Sequence, residues 1–252
     1  MNNKIVLCIA GMNEAEWLPY SLGSVYDVVD QVIFVEGAIE GWFPTPHSTD
    51  GTIDVVKGLD RDGKVTIVQN DGYWKSLEHQ KQQFCERAEP GVFLLINDAD
   101  EIYYPEDVVA VRKILSARPN LMEVIPIFKE HFGDFQHLLI PQPSKTNLTN
   151  QRCIKYRPGY HFSCHHPTMC TPNHLDTSID PRFEDERMVI PDWFIHHFAY
   201  CKPREYLIEK HRRYYETFDK NPPPIALERA EKQYEDMKGK VMHYDGPVPK
   251  VL

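Results

Sequence analysis

Apolar and polar positions alternate in blocks along the first hundred residues. Residues 4–10 form a short apolar run of the kind a buried strand needs, and Gly11-Met-Asn-Glu14 follows as a turn. Leu18, Leu22, Val25 and Val29 then recur at helical spacing. Pro19 is tolerated only in a first turn, so the pattern predicts a helix starting near Trp17. Residues 31–36 read as a second strand, 45–51 as a loop rich in Pro, Ser, Thr and Asp, and 52–59 as a helix. Residues 64–69 give a third strand. Residues 75–88 give a helix with Leu77, Phe84 and Ala88 on one face, ended by Pro90 and Gly91, and 92–96 a fourth strand. Strands alternating with helices at this spacing predict a parallel sheet with right-handed crossovers.

The second half is less regular. Residues 105–116 predict a helix, 122–128 a strand, and 134–160 a loop-rich stretch with weak strand signals. Residues 188–194 predict another strand leading into His196 and His197. Residues 205–218 predict a helix whose Tyr206, Tyr214 and Phe218 face the body. Pro222, Pro223 and Pro224 break the chain, and a charged helix over 225–237 is stopped by Gly239.

With 252 residues the chain is long enough for a full core. Its formal net charge of -9 argues against a general nucleic-acid binder, which needs a basic surface. No stretch approaches a membrane span, and the N-terminus enters a strand too soon for a leader, so the expectation is a cytoplasmic protein without a transmembrane segment. Six cysteines without a CxxC pair suit reduced thiols. Cys164, His165, His166 and Cys170 could in principle hold zinc, but their spacing fits no common finger. Asn147-Leu-Thr149 is a glycosylation sequon by pattern.

The chemistry concentrates where the fourth strand ends. Asp98 and Asp100 are two residues apart, so on an extended chain both carboxylates face one side. Hard oxygen ligands at a strand's carboxyl end suit Mg²⁺ or Mn²⁺ bridging to substrate phosphates. A polar turn capping the next helix is the plainer alternative.

Taken in order, Ile5-Val-Leu-Cys-Ile-Ala-Gly-Met-Asn-Glu14, the strand at 31–36, Ser48-Thr-Asp-Gly-Thr52 and Leu94-Leu-Ile-Asn-Asp-Ala-Asp-Glu101 resemble a glycosyltransferase of the GT-A fold, family-2-like. The resemblance implies an α/β fold with a mostly parallel central sheet flanked by helices and a C-terminal helical extension. It implies a nucleotide-sugar half at 1–104, an acceptor half at 105–200 and the extension at 201–252. The activity implied is metal-dependent, inverting transfer of a sugar from a nucleoside-diphosphate sugar, a UDP-sugar for preference, to a carbohydrate or other hydroxyl acceptor.

Residue by residue, the resemblance places Asp98 and Asp100 at the metal, with Asp98 also near the ribose and Glu101 behind them. It adds His197 as a third metal or phosphate ligand, against a core histidine as the alternative. Asn13 and Glu14 would border the nucleotide. Glu36 stands where the family carries a nucleotide-contacting Asp. Asp50 caps the helix from Thr52. Lys81 would reach the diphosphate or else snorkel to solvent. An inverting transfer needs a general base, for which Asp185, Asp134 and Glu130 are the candidates. Trp42, Phe43, Tyr73, Trp74, Phe132, Tyr160 and Phe162 offer flat faces for a sugar ring or for packing. A sugar-nucleotide nucleotidyltransferase would show a basic, Gly-rich loop after the first strand, and residues 10–14 lack one. A non-catalytic carbohydrate-binding module would have no use for the Asp98/Asp100 pair.

Overall fold

The computed structural model describes residues 3–140, 151–163, 168–178, 180–217 and 219–249. The sequon at 147–149 and Cys164, His165 and His166 lie outside these residues. The chain divides into two compact units, Met1–Ile127 with Thr146–Ile195, and Phe128–Lys145 with His196–Leu252.

The first unit begins with β1 (Ile5–Gly11), α1 (Leu18–Val25), β2 (Gln31–Glu36), α2 (Thr52–Leu59), β3 (Val65–Gln69), α3 (Leu77–Arg87) and β4 (Phe93–Asn97). It continues with β5 (Glu101–Ile102), α4 (Pro105–Ala117), the start of β6 (Glu123–Phe132), and, later in the chain, β8 (Cys153–Lys155), β9 (His161–Phe162), β10 (Met169–Cys170) and most of β11 (Arg187–Tyr200). β3, β2, β1 and β4 lie side by side and parallel, as the strand-helix alternation predicts. β8 joins β4 antiparallel, with Leu95 opposite Cys153. Central strands buried on both faces require near-continuous apolar runs, and every residue of β4 is buried.

Each helix start has a local cause. Pro19 and Pro105 occupy first turns, where a missing N–H costs nothing. Ser76 caps α3 by accepting the His79 amide at 3.2 Å. Gly51 precedes α2 at φ +89°, a left-handed conformation that glycine adopts at little cost. One expectation needs correcting. The buried face of α3 is Gln80, Lys81, Gln83, Phe84 and Cys85, and Leu77 is only half-buried. The helix therefore brings polar groups inward, and Gln80 Nε2 donates to the Gly37 carbonyl at 2.8 Å.

The second unit takes the later half of β6, β7 (His137–Leu139), the end of β11, α5 (Arg204–Thr217), α6 (Pro223–Lys238) and β12 (Val241–His243). β6, β7 and β12 form an antiparallel ribbon. α5 and α6 pack on each other, with Arg229 lying 4.0 Å over the Tyr215 ring. The prolines fall at the break between the two helices, as expected, and the second helix begins two residues earlier than the start at 225 that the pattern predicts. Pro223 and Pro224 open α6, because first-turn positions need no N–H. Tyr206 is 48% exposed, so the expected inward face of α5 is replaced by Leu207 and Ile208. Phe218 falls outside the described residues.

Candidate functional site

The parallel strands end together. Their register sets Gly11 beside Glu36, Glu36 beside Gln69 and Ile9 beside Asn97. The segments after β1, β2 and β4 therefore leave from one edge, the carboxyl edge where open α/β sheets bind ligands.

After β4 the chain makes a tight turn through Asp98, Ala99 and Asp100. The Glu101 amide donates to the Asp98 carbonyl at 3.0 Å, and Asn97 Nδ2 donates to the Glu101 carbonyl at 2.9 Å. The Asp98 side chain is 43% exposed, whereas Asp100 is buried and the Glu101 side chain is 0% exposed. Glu101 turns inward as a brace. Its Oε2 accepts the Asp98 amide at 3.0 Å and Arg152 Nε at 2.9 Å, and its Oε1 accepts Arg152 Nη2 at 2.5 Å. The same Nη2 lies 3.4 Å from Asp98 Oδ2. Burial alone would lower the Arg152 pKa, but Glu101 and Asp98 hold it above its ordinary value.

After β1 and β2, two turns are stitched to each other. Asn13, at φ +59°, donates its amide to Ser48 Oγ at 3.0 Å and accepts the Thr49 amide at 2.8 Å. The Glu14 amide donates to Thr52 Oγ1 at 2.8 Å and the Ala15 amide to Asp50 Oδ2 at 3.0 Å. Asp50 Oδ1 accepts the Thr52 amide and hydroxyl, so Asp50 braces the start of α2 from the position before its N-cap, Gly51, and also ties it to the first turn. Burial would raise the Asp50 pKa, but these donors hold it below the usual range.

Glu36 is fully buried. Its Oε1 accepts the Ser48 amide at 2.6 Å, and its Oε2 lies 2.8 Å from the Gln69 amide nitrogen and 2.9 Å from His47 Nδ1. Desolvation pushes its pKa up, and hydrogen bonds from Gln69, His47 and Ser48 bring it below the ordinary value. Lys81 is also buried, so its ammonium does not lie along the surface in water. Of the flat aromatic candidates, Trp74, Phe132 and Phe162 are buried packing residues. Trp74 Nε1 donates to the Glu36 carbonyl at 2.9 Å.

Asp185 is exposed in the 3-10 turn Pro181–Glu186 that precedes β11. In the second unit, Asp134 caps a turn by accepting the Gln136 amide and His137 Nδ1, each at 2.8 Å. His197 Nδ1 lies 3.9 Å from Glu130 Oε1, and its ring meets Phe128 edge-on. His196 points the other way, as alternation requires. It is buried with Nδ1 2.9 Å from His131 Nε2, and burial pushes the two imidazoles down to about 3 and about 4.

The donor set suits a hard divalent cation. Asp98 and Asp100 offer carboxylate oxygens from one turn, and among the described residues no group of three or more His, Cys, Asp or Glu converges on a common point. A small protein share of the shell is normal for Mg²⁺-like ions, which keep waters and take phosphate oxygens. A cavity of about 330 Å³ opens at the opposite, amino end of the strands, lined by Lys4, Asp30, Lys64 and Glu89 among others. Its charges hold the frame: Lys4 pairs with Glu89, Asp30 with Arg112, and Lys64 donates to the Tyr26 and Val29 carbonyls.

Sequence reasoning missed Arg152, His47 and Gln69. Arg152 had a signal: a cation beside the apolar pair Cys153-Ile154 must find a counter-charge if the strand is central.

Parallel strands β3-β2-β1-β4 with an antiparallel β8 make the mixed α/β sheet of the GT-A fold, which the solved structures below share. No family model matches the chain, and no curated protein matches it by sequence. Solved structures do. PcManGT, a mannosyltransferase from Pyrobaculum calidifontis in complex with GDP-Man and Mn²⁺, is similar with a TM-score of 0.54 at 16% identity, over 95% of this chain and 75% of that one. S. aureus TarS 1-349 is similar with a TM-score of 0.52 at 11% identity, over 93% of this chain and 71% of that one. A longer TarS structure matches at a TM-score of 0.51 and 12% identity over 93% of this chain, which spans 43% of its length. At these identities the likeness is one of fold. Among the described residues no helix is long and apolar enough to cross a membrane.

Proposed function

We propose that this chain is a glycosyltransferase that moves a sugar from a nucleoside-diphosphate sugar, a UDP-sugar by preference, to an acceptor hydroxyl with inversion. The observation that carries the reading is the Asp98/Asp100 turn at the carboxyl edge of a GT-A sheet, next to the stitched turns of residues 13–15 and 48–52. Asp98 and Asp100 would hold Mn²⁺ or Mg²⁺, which when bound offsets the charge that develops on the departing diphosphate. Asn13 and Glu14 border the nucleotide. Glu36 serves it through the loop it anchors, because its carboxylate already takes three donors. Lys81 supplies a buried cation for the diphosphate. One of Asp185, Asp134 and Glu130 takes the acceptor proton. Residues 1–104 serve the donor and 105–200 the acceptor. In GT-A neighbours, TarS 1-349 is known in complex with UDP-GlcNAc and PcManGT with GDP-Man and Mn²⁺.

The test is a thermal-shift panel of UDP and GDP with and without Mn²⁺, since a ligand that binds only the folded state raises its apparent stability. The wild type should show a metal-dependent shift, and Asp100→Ala should lose it while melting at the wild-type temperature without ligand. An equal shift in that variant removes the metal assignment. His197→Ala beside His196→Ala in the same panel decides the third ligand. Loss of the Mn²⁺ response confined to His197→Ala supports it, and an unchanged response returns His197 to packing.

A further inference from the structure

We propose that Arg152 is a positioning residue for the Asp98–Asp100 element. It would set the turn so that both carboxylates meet a divalent cation and the diphosphate that accompanies it. The inference rests on the sugar-nucleotide reading and extends it to a residue 51 positions away from Glu101 in sequence.

The backbone of Arg152 is fastened first. The Ile96 amide donates to the Arg152 carbonyl at 2.7 Å, one step before β4 gives way to the turn. With the main chain fixed there, the side chain is buried at 4% exposure and extends past the strand end. Its planar guanidinium meets both oxygens of Glu101 through Nε and Nη2, a two-pronged grip that Lys cannot make.

Glu101 carries that grip onward. The oxygen that takes Arg152 Nε also takes the Asp98 amide, so the position of Glu101 dictates where the peptide before Asp98 lies. Nη2 also stands 3.4 Å from Asp98 Oδ2, so the cation bears on the side chain of Asp98 as well as on its backbone. Three carboxylates, Asp98, Asp100 and Glu101, crowd one four-residue stretch. The Arg152 guanidinium, against both Glu101 oxygens and 3.4 Å from Asp98 Oδ2, offsets the repulsion between carboxylates in that stretch. Groups that orient metal ligands in this way typically change metal affinity when removed, without touching the metal.

The experiment measures dissociation constants of UDP and GDP by calorimetry, each with and without Mn²⁺, on the wild type, Arg152→Lys and Glu101→Gln. Lys keeps a positive charge against buried Glu101 but cannot span both its oxygens and Asp98. The Mn²⁺-dependent gain in affinity should fall about 10-fold or more in both variants, while the metal-free affinity stays at the wild-type level. A full gain in both variants overturns the inference. So does an equal loss with and without metal, which marks a general structural role. Should Arg152→Lys fail to fold, Glu101→Gln decides alone, because the amide oxygen can still accept from Asp98. A wild type whose binding of both nucleotides is indifferent to Mn²⁺ defeats the sugar-nucleotide reading itself, and this inference with it.

Discussion

Two turns leave the same edge of the first sheet and are held by different chemistry. Residues 48–52 are held by a local Asp50–Thr52 bond and by neutral donors from the turn after β1: the amides of Asn13, Glu14 and Ala15 meet Ser48, Thr52 and Asp50 side chains. Residues 98–101 are held by a buried ion pair to Arg152, from a distant part of the chain. Several modest bonds tolerate the loss of any one, because nearby water can replace a partner at a half-exposed site. A single buried ion pair cannot, because removing one partner strands the other in a place where water does not reach. Breaking each turn should therefore give different magnitudes and different responses to pH.

The largest effect belongs to the ion pair. Arg152→Met should destabilise the protein by about 3–5 kcal/mol, the cost of leaving Glu101 buried and unpaired. Chemical denaturation checks this. Adding Glu101→Leu should restore much of the loss, since removing both charges removes the stranded one. A penalty below that for a surface pair would mean that water enters the turn.

Glu36 lies between the two kinds of anchor, being fully buried but served by neutral donors and His47. Glu36→Ala should cost about 1.5–3 kcal/mol, the range for hydrogen bonds to a charged acceptor, and should weaken nucleotide binding by releasing Ser48. Its lowered pKa gives the sign of the pH effect. The folded state binds the proton less readily than the unfolded one, so the stabilisation is present above the unfolded pKa and is lost as pH falls through the folded value. The difference between wild type and variant, read by denaturation at several pH values, should shrink on acidification.

The contrast also explains what the sequence revealed. Strands β1 to β4 and helices α1 to α4 were legible because periodicity and local caps specify them, and Thr52–Leu59 was read to the residue. The Ser48–Thr52 turn was legible for the same reason, since Asp50 acts two residues from its own position. Arg152 was not, because nothing local says which carboxylate a cation will meet. β5, β9, β10 and β12 were missed because two or three residues carry no period. β11 was expected over 188–194 and extends over Arg187–Tyr200, because His196 and His197 read as polar ends and instead alternate inward and outward along the strand.

Asp50 should matter less than Glu36. Asp50→Ala removes the capping-type bond to the Thr52 amide and the tie to Ala15, for about 1–2 kcal/mol at neutral pH. Its pKa is also lowered, so this contribution too is lost as pH falls through the folded value. Asp50→Asn keeps an acceptor oxygen and should recover part of the loss, and the recovered part should not titrate.

The smallest effect isolates backbone from side chain in the same turn. Gly51 stands at φ +89° just before α2, and a Cβ built there meets no atom within 4 Å. Gly51→Ala therefore introduces no clash, only the left-handed conformation that an L-residue resists. That strain is roughly 1–2 kcal/mol, offset in part by the lower entropy of the unfolded chain. A net loss of about 1 kcal/mol, insensitive to pH, is the expected denaturation result. Because no ionised group changes, a pH-dependent loss in this variant would show that the glycine's conformation and the Asp50 carboxylate are coupled. The two turns would then differ less than their bonding suggests.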